Sequence, residues 1–270
     1  STRTDSARHY IGGGAGFTIG LWDGNAPRTT HQELTGRVVW RDTKTLIPDE
    51  HATHVAGTMI ASGVRPQARG MADEAAINAY QWDDDEAEMA AEAARGLLVS
   101  NHSYGYIRGW IDLGDWYWFG DTAISETEDY LFGFYSGTAR SLDELLHAAP
   151  GYLPVFSAGN DRNDYSPGAV PHYFWDARAQ AWRLSTKLRD NDGGALGYDC
   201  IPNGPGVSKN ALTIGAVEDV AEYTGPESVV MASFSSWGPT DDGRIKPDLC
   251  GNGWGLYSSV SVSDTSYETF

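Results

Sequence analysis

The sequence predicts an α/β fold of three layers, with a mostly parallel central sheet covered by helices on both faces. Three observations carry that expectation. Short apolar runs, some closed by Gly, Asp or Asn, alternate along the chain with stretches of helical spacing. Several of the runs are nearly continuous rather than alternating, as strands buried on both faces require. The 270 residues are 41% apolar, sufficient for a sizeable core, and no internal repeat or low-complexity linker divides them. One domain over 1–270 is therefore expected.

The elements follow in order. Phe17-Thr18-Ile19-Gly20-Leu21-Trp22 reads as a buried strand stopped by Asp23-Gly24. Residues 51–61 have helical spacing, with Val55, Met59 and Ile60 sharing a face. Residues 75–80 form a second strand. Asp83-Asp84-Asp85-Glu86 opens a helix running to about Arg95, its acids at the positive N-terminal end; helix start is preferred to metal site for this run. Leu97-Leu98-Val99-Ser100 is a third strand, leading into Asn101-His102-Ser103-Tyr104-Gly105. Residues 141–149 read as helix, stopped by Pro150-Gly151, and Leu153-Pro154-Val155-Phe156-Ser157 as a fourth strand ending at Ala158-Gly159-Asn160. Residues 211–217 supply a fifth. In sheets of this kind functional groups gather beyond the carboxyl ends of the strands. Asp23 and Asn160 both fall there, and the Ser103 segment lies just past the third strand.

Two insertions interrupt the rhythm. Residues 104–135 are rich in Trp, Tyr and Phe, and residues 161–205 are polar, with Gly, Pro, Asp and Asn throughout. Loops this long carry function or their own structure. A satellite hydrophobic cluster is the preferred reading of the aromatic stretch, ahead of a peptide groove.

The net charge of −18 argues against nucleic acid and anionic membranes as partners. It suits a secreted or extracellular protein, a salt-adapted one or a holder of cations. No run of 18 apolar residues is present, and the polar start Ser1-Thr2-Arg3-Thr4-Asp5 lacks a signal peptide's apolar stretch. Cys200 and Cys250 are read as unpaired thiols, since spacing alone does not establish a disulfide.

Three residues stand out for chemistry. Asp23 follows an apolar strand, which places a carboxylate at the end of the sheet; taken alone it is a turn residue before Gly24. His51 opens a helix, with small Ala52 beside it; taken alone it is a capping or metal-binding histidine. His51 and His54 are three apart, but no Glu lies within a zinc-protease pattern and no third ligand is indicated. Asn160 follows Ala158-Gly159, which allow a tight turn; taken alone it is a turn residue. Together they supply an orienting carboxylate, a base and an oxyanion donor, as a serine hydrolase needs.

Ile19-Gly20-Leu21-Trp22-Asp23-Gly24, His51-Ala52-Thr53-His54-Val55-Ala56-Gly57-Thr58 and Ser157-Ala158-Gly159-Asn160, in this order, resemble the motifs of the subtilisin-like serine proteases, the subtilases. Ser103-Tyr104-Gly105, residues 209–217 and Ser235-Ser236-Trp237-Gly238-Pro239-Thr240 extend the similarity over roughly 17–259, apart from the insertions. The resemblance implies a serine endopeptidase with Asp23 as orienter, His51 as base and Asn160 as oxyanion donor. It further implies substrate binding along Ser103, Tyr104 and Gly105, and a specificity pocket walled by Ser157, Ala158 and Gly159. Polypeptides are the implied substrates. No cofactor is required; calcium is admitted as a structural ion, with no contiguous loop pattern to assign ligands.

Three positions depart from the family pattern. Ala52 replaces the Gly after the base, and Cys250-Gly251-Asn252-Gly253 replaces Ala-Pro-Gly. The Gly-Thr-Ser-Met-Ala stretch that carries the nucleophile is absent. Gly206-Val207-Ser208 comes too early, Ser136-Gly137-Thr138-Ala139 has Ala at the nucleophile position and precedes Asn160, and Ser263 and Ser266 lack the context. Residues 261–270 resemble the loop leading into the nucleophile helix. The expectation is that the serine lies after Phe270, on a C-terminal fragment of the same precursor, and that the 270-residue chain alone is inactive. The alternative is a pseudoprotease or peptide-binding module.

Overall fold

The computed structural model describes residues 4–192, 200–220 and 222–270. Ser1, Thr2 and Arg3, and part of the second insertion (193–199), lie outside the described residues.

In chain order the strands are β1 (Thr18–Asp23), β2 (Val38–Trp40), β3 (Ala76–Gln81), β4 (Val99–His102), β5 (Trp110–Asp112), β6 (Trp116–Trp118), β7 (Leu153–Ser157), β8 (His172–Asp176), β9 (Ala181–Ser185), β10 (Leu212–Val217), β11 (Leu249–Asn252), β12 (Tyr257–Ser259) and β13 (Tyr267–Thr269). The helices are α1 (Thr4–Ile11), α2 (Glu50–Ile60), α3 (Asp85–Ala94) and α4 (Gly137–Ala148). Seven strands form the central sheet in the order β11-β10-β7-β4-β1-β3-β2. Every ladder in it is parallel.

β1 shows why its sequence is a continuous apolar run. Gly20, Leu21, Trp22 and Asp23 are all buried. Leu21 packs on one face with Leu34, Ala56, Ile60 and Ile77, the side that α2 covers. Trp22 packs on the other with Met89 of α3, Leu142 and Leu146 of α4, and Phe156. Successive side chains of a strand point to opposite faces, so both layers draw on the same segment. The three-layer α/β expectation holds, with every central pair parallel.

Several boundaries differ from the sequence reading. The third predicted strand runs over β4, two residues later, because His102 is drawn into the core between Trp22 and Phe156, with centroid distances of 5.1 and 4.3 Å. Residues 103–107 then follow without a strand assignment. α4 starts earlier than predicted, at Gly137, since Ser136 caps it by accepting from the Ala139 N–H. Ser136-Gly137-Thr138-Ala139 is thus a helix start. Ser208, the other candidate considered, is fully buried and donates to the Ala139 carbonyl. Residues 261–270, expected as a loop, include β13, paired antiparallel with β12.

The two insertions fold into one unit. β5 and β6 come from the first and β8 and β9 from the second, giving a four-stranded sheet in the order β5-β6-β8-β9. Its β6–β8 ladder is parallel and the other two antiparallel. Trp110, Trp118 and His172 are buried beneath it, and Tyr117 stacks on Tyr173 at 5.2 Å and meets Trp182 edge-on at 5.1 Å. The aromatic stretch builds a satellite cluster, as the sequence favours.

Candidate active site

α2 and β1 together position the central pair. Asp49 caps α2, its carboxylate accepting from the Ala52 N–H at 2.8 Å, which places His51 in the first turn. The helix approaches the C-terminal hairpin so closely that a Cβ on Gly57 would lie 2.2 Å from Ser259 Oγ. Ser258 and Ser259 donate instead to the carbonyls of His54 and Thr53, at 2.9 and 3.2 Å. Asp23 ends β1 and is 1% exposed. Its Oδ1 accepts from the Gly24 N–H at 2.7 Å.

The carboxylate of Asp23 meets His51 Nδ1 at 2.8 and 2.9 Å. An ionised carboxylate only accepts, so the proton sits on Nδ1 and the lone pair on Nε2. The hydrogen bond to Asp23 raises the pKa of His51 against the lowering effect of burial. Asp23 and Asp49 add to the rise by their charge. Among the described residues, the His51 ring has no hydrogen-bond partner other than Asp23, and half of its side chain is exposed.

His51 opens onto a cavity of about 530 Å³. Ser103, Ser157, Ala158, Gly159 and Asn160 line the same cavity, so six of the nine sequence-predicted residues share it. Asp23 lies behind His51. Tyr104 and Gly105 line instead a neighbouring cavity of about 410 Å³, with Trp82, Met89 and Leu142. Gly159 turns the chain at φ +100°, where a Cβ would meet Asp161 and Pro202, and so presents Asn160 on the exposed side.

The sequence reading missed the cavity's apolar far wall, made by Ile214, Phe234, Trp254 and Phe270. Only the aromatic character of Phe234, Trp254 and Phe270 signals it. His54, weighed as half of a zinc pair, stacks on Phe270 at 4.4 Å and hydrogen-bonds the Leu256 carbonyl. Burial lowers its pKa.

Among the described residues, two groups bring donor atoms within 4.8 Å of one another: Asp23, Asp49 and His51, and Asp161, Asp164 and Asp192. The first is the hydrogen-bonded pair plus the helix cap. In the second, burial pushes Asp161 up to about 7, Asp164 to about 6 and Asp192 to about 10. Both Asp192 oxygens accept from the Trp110 N–H, and Asp161 accepts from Ser236 Oγ. Calcium takes six to eight oxygens, and of this trio Asp161 and Asp192 already accept from protein donors. Both cysteines are free thiols.

A buried Asp–His pair at the carboxyl end of a parallel sheet is an arrangement in which the histidine can serve as a general base. The subtilase family profile matches residues 39–269, and the chain belongs to the subtilase family of serine proteases. Asp23 precedes the matched span; the fold brings it to His51. Three solved structures share the fold. A cold-adapted subtilisin-like serine proteinase is 16% identical, with a TM-score of 0.50, over 94% of this chain and 70% of that one. The self-cleaved protease domain of PatA is 17% identical, with a TM-score of 0.52, over 95% and 73%. The PatG macrocyclase in complex with peptide is 12% identical, with a TM-score of 0.55, over 98% and 73%. No curated protein sequence matches.

Proposed function

We propose that this chain is the larger part of a subtilisin-like serine endopeptidase that hydrolyses polypeptides through an Asp23–His51–Ser triad. The observation that carries the reading is the Asp23–His51 contact at 2.8 Å, with the Nε2 side of the ring facing a cavity that Asn160 also lines. In this reading His51 Nε2 takes the serine proton, and Asp23 holds the tautomer and stabilises the imidazolium. The Asn160 amide donates to the oxyanion. Substrate backbone lies along Ser103, Tyr104 and Gly105, whose segment carries no strand partner, while Ser157, Ala158 and Gly159 wall the primary pocket.

The serine is proposed to come from a segment of the precursor C-terminal to Phe270, docked in the 530 Å³ cavity against Ile214, Trp254 and Phe270. The 270-residue chain alone is then inactive. No cofactor enters the chemistry, and calcium has no assigned ligands. The acidic charge supports a location outside the cell.

A fluorophosphonate probe offered to the precursor tests the reading. It should label one serine beyond Phe270, and His51→Ala should abolish the label. An unlabelled precursor that still binds peptides would replace the endopeptidase with a peptide-binding module.

A further inference from the structure

The sheet built by the two insertions encloses a cation that hydrogen-bonds to no carboxylate among the described residues. Arg189 is 3% exposed. Its guanidinium lies 3.9 Å from the Trp118 ring centroid and 5.2 Å from that of Phe174. Nη1 donates to the Glu126 carbonyl, and Nε donates to His172 Nε2 at 3.2 Å. That bond makes Nε2 of His172 the acceptor and leaves Nδ1–H to donate to the Val170 carbonyl at 3.2 Å. His172 is therefore neutral, in line with the lowering of its pKa by burial.

Among the described residues the groups it touches are uncharged, a carbonyl oxygen, a neutral imidazole and two aromatic faces, and the Glu126 carboxylate acts on it only through space. The nearby carboxylates are engaged elsewhere, Glu126 with Lys187 at 2.6 Å and Asp176 with Arg183 at 2.7 Å. Nη2 has no hydrogen bond to any described residue. Burying a charge without a partner is costly, and a guanidinium edge is shaped for the two oxygens of a carboxylate or phosphate.

The surroundings complete the case. Arg189 lines a cavity of about 430 Å³ whose other charged lining residues are Arg178, Lys187, Glu126 and Asp176. Three cations against two carboxylates is a local positive excess in a chain of net charge −18. The volume falls in the range of small-ligand pockets, larger than a bare ion needs.

We infer that this cavity binds the oxyanion end of a small ligand, with Arg189 at its floor and Arg178 and Lys187 at its rim. The chemistry is shared by two sources, a phosphate and a free peptide carboxylate. The inference stands independently of the triad, since none of these residues touches His51's cavity.

Chemical-shift titration of the 270-residue chain tests it, with inorganic phosphate, a tripeptide bearing a free C-terminal carboxylate and the same tripeptide amidated. At least one of the first two should shift the amides of residues 126, 178 and 187–189 saturably. The amidated peptide should not. Arg178→Ala with Lys187→Ala should weaken that binding at least tenfold, and Arg189→Met should abolish it. Where Arg189→Met fails to fold, the rim double variant alone decides. Phosphate binding without peptide binding assigns a phosphate site, and the reverse a carboxylate site. Absence of saturation with both anions, equal binding by the amide, or unchanged affinity in the rim double variant overturns the inference.

Discussion

The central sheet and the four-stranded sheet of the insertions are held together by different forces. In the central sheet both faces are closed, by Leu21 and Ile77 on the α2 side and Trp22, Leu142 and Phe156 on the other. Its shape follows from apolar area removed from water. The smaller sheet is organised by ring contacts and buried charge. Trp110 is fixed by its backbone N–H to Asp192 and its indole N–H to the Asp190 carbonyl, the Gly109 N–H is taken by buried Asp129, and Arg189 fills the space under Trp118. A scaffold of the first kind fixes atoms firmly and responds little to pH. One of the second kind trades stability against protonation and ligands. The catalytic candidates all rest on the first.

The largest expected effect breaks the symmetry between the two regions. In the proposed precursor, Asp23→Asn should lower kcat/KM by about four orders of magnitude, because the carboxylate that sets the tautomer is gone. Trp182→Ala in the smaller sheet, where Trp182 is 39% exposed, should change kcat/KM by less than about threefold. Peptide-hydrolysis kinetics on both variants check the contrast. A comparable loss in both would make the insertion part of the catalytic apparatus.

Stability should divide the same way. Trp22 is fully buried, stacked on Tyr80 at 4.7 Å and donating to Glu88 at 2.9 Å. Trp22→Ala should cost about 3–5 kcal/mol, and Trp182→Ala, whose half-buried ring meets Tyr117, Phe119 and Trp175, less, about 1–2 kcal/mol. Urea unfolding of the two variants measures both.

A subtler difference is one of pH. The folded chain raises Asp192 to about 10, mainly by desolvation. Above the ordinary value near 3.9, the unfolded chain releases this proton and the folded one keeps it, so stability falls as pH rises toward the folded value. Asp161 at about 7 and Asp164 at about 6 add to the same slope. Asp192→Asn removes one contributor, so its denaturation midpoint should drop less between pH 5 and pH 8 than the wild type's. An unchanged drop would show that Asp192 ionises freely in the fold.

The two regions were also unequally legible. β1 and β7 could be read because apolar runs end at turn residues, β10 from its apolar run, and α2 from the helical spacing of Val55, Met59 and Ile60. β2 is three residues long and gives periodicity too little to work on. β5–β6 and β8–β9 are hairpins of three- and five-residue strands, and the β6–β8 ladder that joins the two insertions is long-range, so length and spacing give no strong local pattern. The same holds for the serine-rich β12–β13 hairpin, held to α2 by hydroxyls rather than by apolar contact. For the site, residue order made Asp23, His51 and Asn160 recognisable. The cavity's aromatic wall was not, because Phe234, Trp254 and Phe270 are brought together only by the folded chain.

The smallest effect compares two rings on one helix. His51 and His54 lie three residues apart on α2, yet their environments push them in opposite directions. The Asp23 hydrogen bond raises His51, whereas burial lowers His54 by more than its hydrogen bond to the Leu256 carbonyl raises it. In a proton NMR titration of the 270-residue chain, His51 should titrate above the ordinary value of about 6.5 and His54 below it. Asp23→Asn should bring His51 down and leave His54 below the ordinary value. The raised His51 pKa also contributes stability that is fully present below about pH 6.5 and is lost as pH rises through the folded value. Asp23→Asn should therefore destabilise the chain more at pH 6 than at pH 9. If both rings titrate together in the wild type, the carboxylate is not holding Nδ1–H in solution, and the geometry that singles out His51 as the base loses its support.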